Sequence, residues 1–173
     1  MTSNIIILLG KSASGKTSQE LLLRQNGFDN LITYTTRSIR DGEVNGKDYH
    51  FVSVDEFNNL NLPVKYIVSD TWKYGIHKND AIGTKIFSCI SESYALDISK
   101  HFDNVKVIYF NISREERFKR LLERGDSKES IEKRFEIEDR EGDINVHNFS
   151  SLFEVNNGDL TEIYDNIIKY IRS

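Results

Sequence analysis

The chain has 173 residues, a length that predicts one compact domain with enough buried core to fold without a disulfide or a structural metal ion. Its 23 lysine and arginine residues and 27 aspartate and glutamate residues give a formal net charge of −4, which argues against a generic nucleic-acid coat protein. The single cysteine, Cys89, and a longest apolar run that covers only residues 5–9 predict a cytoplasmic protein without disulfides or a membrane span.

Hydrophobic runs predict the first elements in chain order. The β-branched run at residues 5–9 predicts a strand that is buried on both faces. Residues 17–26 then predict a helix that stops at Gly27. Three leucines of this helix are predicted to face inward: Leu21, Leu22 and Leu23. Further strands are predicted at residues 31–34, 65–69, 85–90, 105–110 and 152–155.

Capping patterns mark three of the later helices. In each, a serine or aspartate stands three residues before a glutamate, so that the two side chains can satisfy free N–H groups at a helix start. Helices are predicted at residues 54–60, 92–101, 114–124, 128–141 and 160–172. Strands that alternate with helices predict an α/β fold, with a mostly parallel sheet covered by helices on both faces and a ligand site beyond the carboxyl ends of its strands.

A phosphate-binding loop follows the first predicted strand. Residues 10–17 match the pattern G-x-x-x-x-G-K-[ST] in full, between a strand and a helix as the pattern requires. Its N–H groups can converge on phosphate oxygens, Lys16 is expected to reach the β- and γ-phosphates, and the Thr17 hydroxyl is expected to ligate Mg²⁺. The predicted ATP-binding residues are Gly10, Lys11, Ser12, Ala13, Ser14, Gly15, Lys16 and Thr17. GTPases, ATPases and small-molecule kinases share this loop, so it does not fix the reaction.

A second anion site is indicated at residues 33–53. Arg37 and Arg40 stand three residues apart among hydroxyl side chains and glycines, an arrangement in which both guanidinium groups can bind one phosphate. The alternative is a polar surface loop whose arginines pair with neighbouring carboxylates, because exposed ion pairs are common. Spacing alone leaves both interpretations open.

This segment resembles the guanylate kinase signature T-T-R-x-x-R-x-G-E-x-x-G-x-D-Y-x-F-V-S, with every fixed position filled. The resemblance extends over most of the chain, and it implies a P-loop NTPase fold with a small lobe that binds the monophosphate. It implies six GMP-binding residues: Thr33, Arg37, Arg40, Glu43, Tyr49 and Tyr74. The arginines and tyrosines of this set would hold the α-phosphate of GMP, and the other two residues would lie near the nucleoside.

The resemblance is weaker where the family reads the guanine base. Ile76 stands where the family has serine or threonine after a Tyr-Gly pair, and residues 89–91 read Cys-Ile-Ser in place of Asp-hydrophobe-Asp. A guanine-reading glutamate of the family has only a candidate counterpart, Asp70. We therefore expect phosphate contacts to be retained and selection for guanine to be weaker than in a full-signature enzyme.

Arginines recur at helical spacing in the helix predicted over residues 114–124. Three of them share one predicted face: Arg117, Arg120 and Arg124. On its own this pattern indicates a solvated helix, since Glu116 stands four residues before Arg120 and can pair with it. Beside a phosphate loop it favours catalysis, because arginine donors offset the charge on a transferring phosphoryl group.

The arginine run also resembles the lid of guanylate kinases, at about residues 120–141. That resemblance implies that Arg120 and Arg134 close over the transferring phosphate and that Arg124 contacts ATP. The predicted organisation is one guanylate-kinase-like domain over residues 1–173. Its core lies at about residues 1–32 and 84–173, and its monophosphate-binding lobe lies at about residues 33–83.

Together these patterns predict transfer of the γ-phosphoryl group of ATP to a nucleoside monophosphate, preferably GMP, with Mg²⁺ as cofactor. We expect a monomer or homodimer without a nucleic-acid or membrane partner. One alternative is a kinase of the same fold for another phosphorylated acceptor, which the altered base-reading positions favour. The other is a guanylate-kinase-like protein-interaction module, against which the intact Lys16 and Thr17 argue. Cys89 is predicted to be a small core residue rather than a nucleophile.

Overall fold

The strands form two sheets in the computed structural model, which describes residues 3–173 apart from the side chains of Ser3 and Glu141. In chain order the strands are β1 (Ser3–Leu9), β2 (Asp29–Asn30), β3 (Thr33–Thr35), β4 (Tyr49–Phe51), β5 (Val64–Ile67), β6 (Lys73–Ile76), β7 (Gly83–Cys89), β8 (Asn104–Phe110) and β9 (Leu152–Val155). The helices are α1 (Lys16–Gln25), α2 (Val54–Asn59), α3 (Glu92–His101), α4 (Arg114–Glu123), α5 (Lys128–Glu141) and α6 (Leu160–Arg172). Short 3-10 helices lie at Lys78–Ala81 and Val146–Asn148.

The larger sheet is parallel, in the order β2-β7-β1-β8-β9. Its central strand is buried on both faces as predicted, since residues 5–9 are each at most 3% exposed. The odd-numbered residues of this run pack with α3, and the even-numbered ones pack with α1 and α6. Helices therefore cover both faces, which confirms the predicted α/β fold. The order of the smaller sheet is β4-β3-β6-β5.

Two predictions about the first third of the chain are wrong. Leu21 is 50% exposed, and Leu23 is the one fully buried member of the predicted inward-facing leucines. Three consecutive residues span more than half of a helical turn, so they cannot all face one sheet. The strand predicted at residues 31–34 is instead β2 and β3, which belong to different sheets, because the chain crosses between the sheets there.

The predicted helix starts are confirmed, each within one residue. At α2, Ser53 Oγ accepts a hydrogen bond from the Glu56 N–H (3.1 Å) while the Glu56 carboxylate accepts one from the Ser53 N–H (2.7 Å). The side chains of Ser113 and Asp159 cap α4 and α6. In the described part of the chain, helices that combine the length and apolarity needed to cross a membrane are absent. The patterns do not predict β4 and β6, which have only three and four residues.

Candidate active site

The phosphate loop joins β1 to α1 at the carboxyl edge of the larger sheet. Lys16 folds back over this loop, and its Nζ donates hydrogen bonds to the carbonyl oxygens of Gly10 (2.6 Å) and Lys11 (3.0 Å). A Cβ at Gly10 would lie only 2.8 Å from Ser14 Oγ, and Gly15 has a φ of 103° that side-chain-bearing residues rarely adopt. The tight course of the loop therefore depends on both glycines of the motif.

Lys16 is a half-buried cation whose hydrogen-bond acceptors within the loop are neutral carbonyl and hydroxyl groups. Burial lowers the pKa of Lys16 to about 8, although nearby acidic groups, Glu138 among them, act in the opposite direction. An anionic phosphate on the loop would favour the charged amine. The site is therefore suited to bind an anion at this point.

Arg120 reaches the phosphate loop from α4. Its Nη1 donates to the Ala13 carbonyl (3.3 Å), its Nη2 to Asn157 Oδ1 (2.6 Å) and its Nε to Glu116 Oε1 (3.0 Å). The expected pair with Glu116 is present, and it holds the guanidinium group beside the loop. The Arg120 side chain therefore both pairs within α4 and contacts the phosphate loop.

Arg117 and Glu138 form a buried ion pair against the loop, which the sequence patterns do not predict. Arg117 Nη1 lies 2.7 Å from Glu138 Oε2 and donates to the Ser12 carbonyl at 3.3 Å. Glu138 Oε1 accepts from the Ser12 N–H at 2.8 Å. Burial acts to raise the pKa of the Glu138 carboxyl, but the hydrogen bonds from Ser12 and Arg117 outweigh it and lower that pKa. The pair ties α4 and α5 to the loop.

The sequence carries a signal for this ion pair, because each of its residues lies on the apolar stripe of its helix. Arg117 stands four residues before the buried Leu121, and Glu138 stands three residues after the buried Phe135. A charged residue on the apolar stripe of an amphipathic helix must find a partner in the interior. Arg117 therefore belongs to the interior, whereas Arg124, which follows the last residue of α4, is exposed.

A cleft of about 330 Å³, which we call the donor cleft, opens beside the loop. Its polar wall contains residues 13–17 together with Arg120 and Arg124, and its apolar wall comes from β8, β9 and α6. Arg134 does not line this cleft and pairs with Asp126 at 3.7 Å. The role of Arg134 at the transferring phosphate stays a prediction.

A second cavity of about 310 Å³, which we call the acceptor cavity, is lined by residues from both sheets and from α3. Thr33, Tyr49 and Tyr74 of the predicted GMP-binding set lie in its wall. Lys16 lines this cavity as well as the donor cleft. The two cavities therefore share Lys16 of the phosphate loop as a wall residue.

Arg37 and Glu43 form a two-pronged ion pair next to the acceptor tyrosines. Arg37 Nη1 and Nη2 lie 2.9 and 2.7 Å from the Glu43 carboxylate oxygens, and the Arg37 guanidinium lies 5.2 Å from the Tyr49 ring centroid. Hydrogen bonding from Arg37 is the main reason that the pKa of Glu43 falls to about 2. The carboxylate also accepts from the Arg40 N–H at 2.8 Å, while the Arg40 side chain is exposed. Arg37 therefore pairs with a neighbouring carboxylate, as the alternative interpretation of this segment expects. Contact of Glu43 with a nucleoside stays a prediction.

The residues that depart from the family pattern differ in their relation to the acceptor cavity. Ile76 is fully buried in the core and does not line the cavity. Cys89 and Ser91 do line it, and burial raises the pKa of the Cys89 thiol to about 12, as expected of a core residue. Asp70 is exposed between β5 and β6 and does not line the cavity.

Three aromatic residues of the acceptor cavity are not singled out by the sequence patterns: Tyr66, Phe87 and Tyr94. Tyr94 stacks on Tyr66 with ring centroids 5.1 Å apart and meets Phe87 edge to face at 5.3 Å. The available signal was the place of Tyr94 in the first turn of a helix that follows a parallel strand, where ligands bind.

Thr17, the predicted metal ligand, is exposed in the first turn of α1. Among residues 3–173, no group of three or more histidine, cysteine, aspartate or glutamate side chains is arranged to hold a metal ion. Mg²⁺ is commonly held by few protein groups together with substrate phosphates. The Thr17 hydroxyl therefore fits Mg²⁺ as a partner of nucleotide phosphate oxygens.

Comparison with known proteins identifies the family. The sequence model described as "Guanylate kinase" matches residues 2–173. The guanylate kinase of Histophilus somni (strain 129Pt) is 37% identical over 150 residues, which cover 77% of this chain and 71% of that protein. The guanylate kinase of Chlamydia pneumoniae is 30% identical over 165 residues, which cover 88% of this chain and 76% of that protein.

A solved structure supports the fold. The crystal structure of guanylate kinase from Anaplasma phagocytophilum matches with a TM-score of 0.60 at 23% identity, over 99% of this chain and 86% of that chain. The similarity covers both sheets and the helices around them. The predicted fold class and the predicted resemblance are confirmed, and the chain belongs to the guanylate kinase family.

Proposed function

We propose that this chain transfers the γ-phosphoryl group of ATP to GMP, with ADP and GDP as products. The observation that carries the proposal is the position of Lys16, which lines both the donor cleft and the acceptor cavity. A group that passes between two bound nucleotides must cross the point where the cavities meet. The ammonium group of Lys16 there can stabilise the phosphoryl charge throughout the transfer.

ATP binds in the donor cleft, with its phosphates on the N–H groups of the loop and the N-terminus of α1. Lys16 then exchanges its bonds to the Gly10 and Lys11 carbonyls for bonds to phosphate oxygens. Arg120 lies beside the loop and Arg124 lines the cleft, so both can offset phosphate charge. Arg134 joins them when the lid, at about residues 120–141, closes.

Mg²⁺ would be held by the Thr17 hydroxyl and by phosphate oxygens of ATP. When bound, the ion neutralises charge on the β- and γ-phosphates. The contribution of the chain is to keep the Thr17 hydroxyl in the first turn of α1, next to the N–H groups that hold the same phosphates. This part of the proposal is supported by the donor chemistry of the loop.

The acceptor phosphate meets four side chains: Arg37, Arg40, Tyr49 and Tyr74. Support comes from their clustering, since the Tyr49 and Tyr74 rings are 5.9 Å apart and the Arg37 guanidinium lies over the Tyr49 ring. Glu43 positions Arg37, and Thr33 lies in the cavity wall toward the nucleoside. The reaction needs no covalent intermediate, because positioning two nucleotides in line and neutralising charge are sufficient.

We extend the proposal to the organisation of the chain. Residues 33–83 act as the monophosphate-binding lobe, and its closure together with the lid excludes water and suppresses ATP hydrolysis. The enzyme is cytoplasmic, acts as a monomer or homodimer, and has no nucleic-acid or membrane partner. The net charge of −4 supports the absence of a nucleic-acid partner, and the single cysteine supports a reducing compartment.

A second candidate is a kinase of the same fold for another phosphorylated acceptor. It is favoured by the wall of the acceptor cavity, in which Lys16 is the one charged residue within the described chain. Arginines recognise the phosphate of any such acceptor, whereas the cavity wall must recognise the rest of the molecule.

The test is a coupled assay of ADP formation with ATP, Mg²⁺ and each of GMP, dGMP, AMP, UMP and CMP. We expect GMP to give the highest kcat/KM and ATP alone to give little ADP. A better pyrimidine acceptor would favour the second candidate. Absence of acceptor-dependent ADP with all five nucleotides, from a folded protein that binds ATP, would contradict phosphorylation of GMP and favour the second candidate with an acceptor outside this panel.

A further inference from the structure

The wall of the acceptor cavity is almost uncharged. Among the described residues that line it, Lys16 carries a formal charge, and aspartate and glutamate are absent. Six aromatic rings form much of the wall: Tyr49, Tyr66, Trp72, Tyr74, Phe87 and Tyr94. A purine base in this cavity would be stacked on rings and read by neutral groups.

The carboxylates of the adjoining cleft already have partners. Glu92 accepts two hydrogen bonds from the segment before β9, at 2.9 and 2.7 Å. Glu138 is held by the phosphate loop and Arg117. Asp143 pairs with Lys11 at 3.4 Å. Glu92 and Glu138 are therefore engaged within the protein, and none of these three carboxylates lines the acceptor cavity.

Tyr94 supplies the one buried hydroxyl of the cavity wall that lacks a hydrogen-bond partner in the described part of the chain. Serine hydroxyls of the same wall are engaged, because Ser88 Oγ donates to Glu20 and Ser91 Oγ lies 2.9 Å from Ser93 Oγ. A buried hydroxyl is normally paired, since it has lost its hydrogen bonds to water. A ligand in the cavity is the natural source of the missing partner.

The Tyr94 ring is held firmly in place. It is 5% exposed, stacks on Tyr66 and meets Phe87 edge to face. Its backbone N–H lies 3.3 Å from Ser91 Oγ, which caps α3. Burial also raises the pKa of Tyr94 well above its usual value, so the hydroxyl keeps its proton and remains a donor at neutral pH.

We propose that the Tyr94 hydroxyl donates a hydrogen bond to the 6-oxo group of a purine base, and that the cavity does not read the 2-amino group. The inference rests on the proposed function, since it assumes a nucleoside monophosphate in the acceptor cavity. A phenol hydroxyl donates more strongly than it accepts, so a 6-oxo group, which only accepts, pairs with it better than the 6-amino group of AMP does. The acceptor class is then 6-oxopurine nucleoside monophosphates, GMP and IMP alike, in preference to the 6-amino compound AMP.

The experiment compares kcat/KM for GMP, IMP and AMP at saturating ATP in the wild type and in Tyr94→Phe, which removes only the hydroxyl. In the wild type we expect the kcat/KM values for GMP and IMP to agree within about threefold and both to exceed the value for AMP. In Tyr94→Phe we expect kcat/KM for GMP and for IMP to fall about five- to tenfold. The kcat/KM for AMP and the KM for ATP should be almost unchanged. Tyr164→Phe makes the same chemical change on α6, outside both cavities, and should match the wild type.

Thermal unfolding without nucleotide separates recognition from folding. Loss of an unpartnered buried hydroxyl should leave the melting temperature of Tyr94→Phe equal to or above that of the wild type. A clearly lower melting temperature would overturn the inference, because the hydroxyl would then have a partner within the fold. The inference would also be overturned if Tyr94→Phe lowered kcat/KM equally for GMP, IMP and AMP, or lowered none of them. A wild-type kcat/KM for IMP more than tenfold below that for GMP would overturn it too. A wild type that phosphorylates none of the three would instead contradict the proposed function itself.

Discussion

The two nucleotide sites meet at Lys16 but use different chemistry. On the phosphate side, arginines are held by carboxylates, as Arg117 is by Glu138 and Arg120 is by Glu116. On the base side, the cavity wall is aromatic and carries one charge among its described residues. Phosphate is common to every nucleotide, so its binding groups follow a motif. The base is read by side chains that the motif does not include.

The paired arginines gain from their fixed geometry. A long side chain loses rotamer freedom when it binds a ligand, and that loss is smaller where a carboxylate already holds the guanidinium group. Arg37 is the clearest case, because Glu43 meets both of its terminal nitrogens at 2.9 and 2.7 Å. The phosphate sites are therefore largely preorganised before nucleotide arrives.

The largest effect is expected at the shared amine. Lys16→Ala should lower kcat by about a thousandfold, because it removes the positive charge that stabilises the phosphoryl group during transfer. The coupled ADP assay with GMP measures it, and Lys119→Ala, a change at an exposed lysine of α4, should keep full activity. Turnover near the wild-type rate in a folded Lys16→Ala protein would contradict the claim that the two sites share Lys16 as a catalytic group.

The buried ion pair should control stability. Glu138→Ala leaves Arg117 and the Ser12 N–H without their acceptor and should lower the free energy of unfolding by about 3 kcal/mol. Urea denaturation measures this, with Glu136→Ala on the exposed face of α5 as the control. The double variant Arg117→Met/Glu138→Leu should recover much of the loss, because it removes both charges. A loss below about 0.5 kcal/mol for Glu138→Ala would show that the pair is not structural.

Substitutions of the two acceptor arginines test whether the GMP site is separate from the ATP site. Arg37→Ala and Arg40→Ala should each lower kcat/KM for GMP about ten- to a hundredfold and leave ATP affinity unchanged. Arg37→Ala should be the more damaging, because it also leaves the Glu43 carboxylate without its partner. Steady-state kinetics and ATP calorimetry give the two values. ATP binding weakened tenfold with GMP binding intact would reverse the assignment of the two sites.

The smallest expected effect is a change in the free energy of unfolding at acid pH. The pKa of Glu43 is about 2 in the folded chain and 4.5 for the same carboxyl without such contacts, so its pair with Arg37 adds stability above pH 4.5 that is lost as the pH falls toward 2. The stability difference between the wild type and Glu43→Gln should therefore be constant near neutral pH and shrink below pH 4.5. Urea denaturation from pH 7 to 3.5 measures it, with the exposed Glu132→Gln as the control. A difference that grows on acidification would contradict the pairing.

The larger sheet and its helices were predictable because their signals are local. The apolar run at residues 5–9, the phosphate loop and the serine and aspartate caps each lie within a few neighbouring residues. Most of the helix bounds follow from them. The strands β4 and β6 escaped because they are short and because each depends on pairing with other strands, β4 with β3 and β6 with both β5 and β3.

The missed parts of the site depend on distant contacts. Glu138 meets Ser12 across 126 positions, and no local pattern records such a contact. Ile76 shows a different dependence on the fold, since it stands where the family has a base-reading hydroxyl but is buried in the core. A serine at that position would bury a hydroxyl among apolar side chains rather than place it in the acceptor cavity.

The central claim is that one phosphoryl group passes from the donor cleft to the acceptor cavity. Phosphorus NMR of a single mixture of ATP, GMP, Mg²⁺ and the protein tests it most directly, because each nucleotide is followed separately. The account predicts that GDP and ADP appear in equal amounts and that inorganic phosphate stays low. Release of inorganic phosphate with GMP left intact would contradict it.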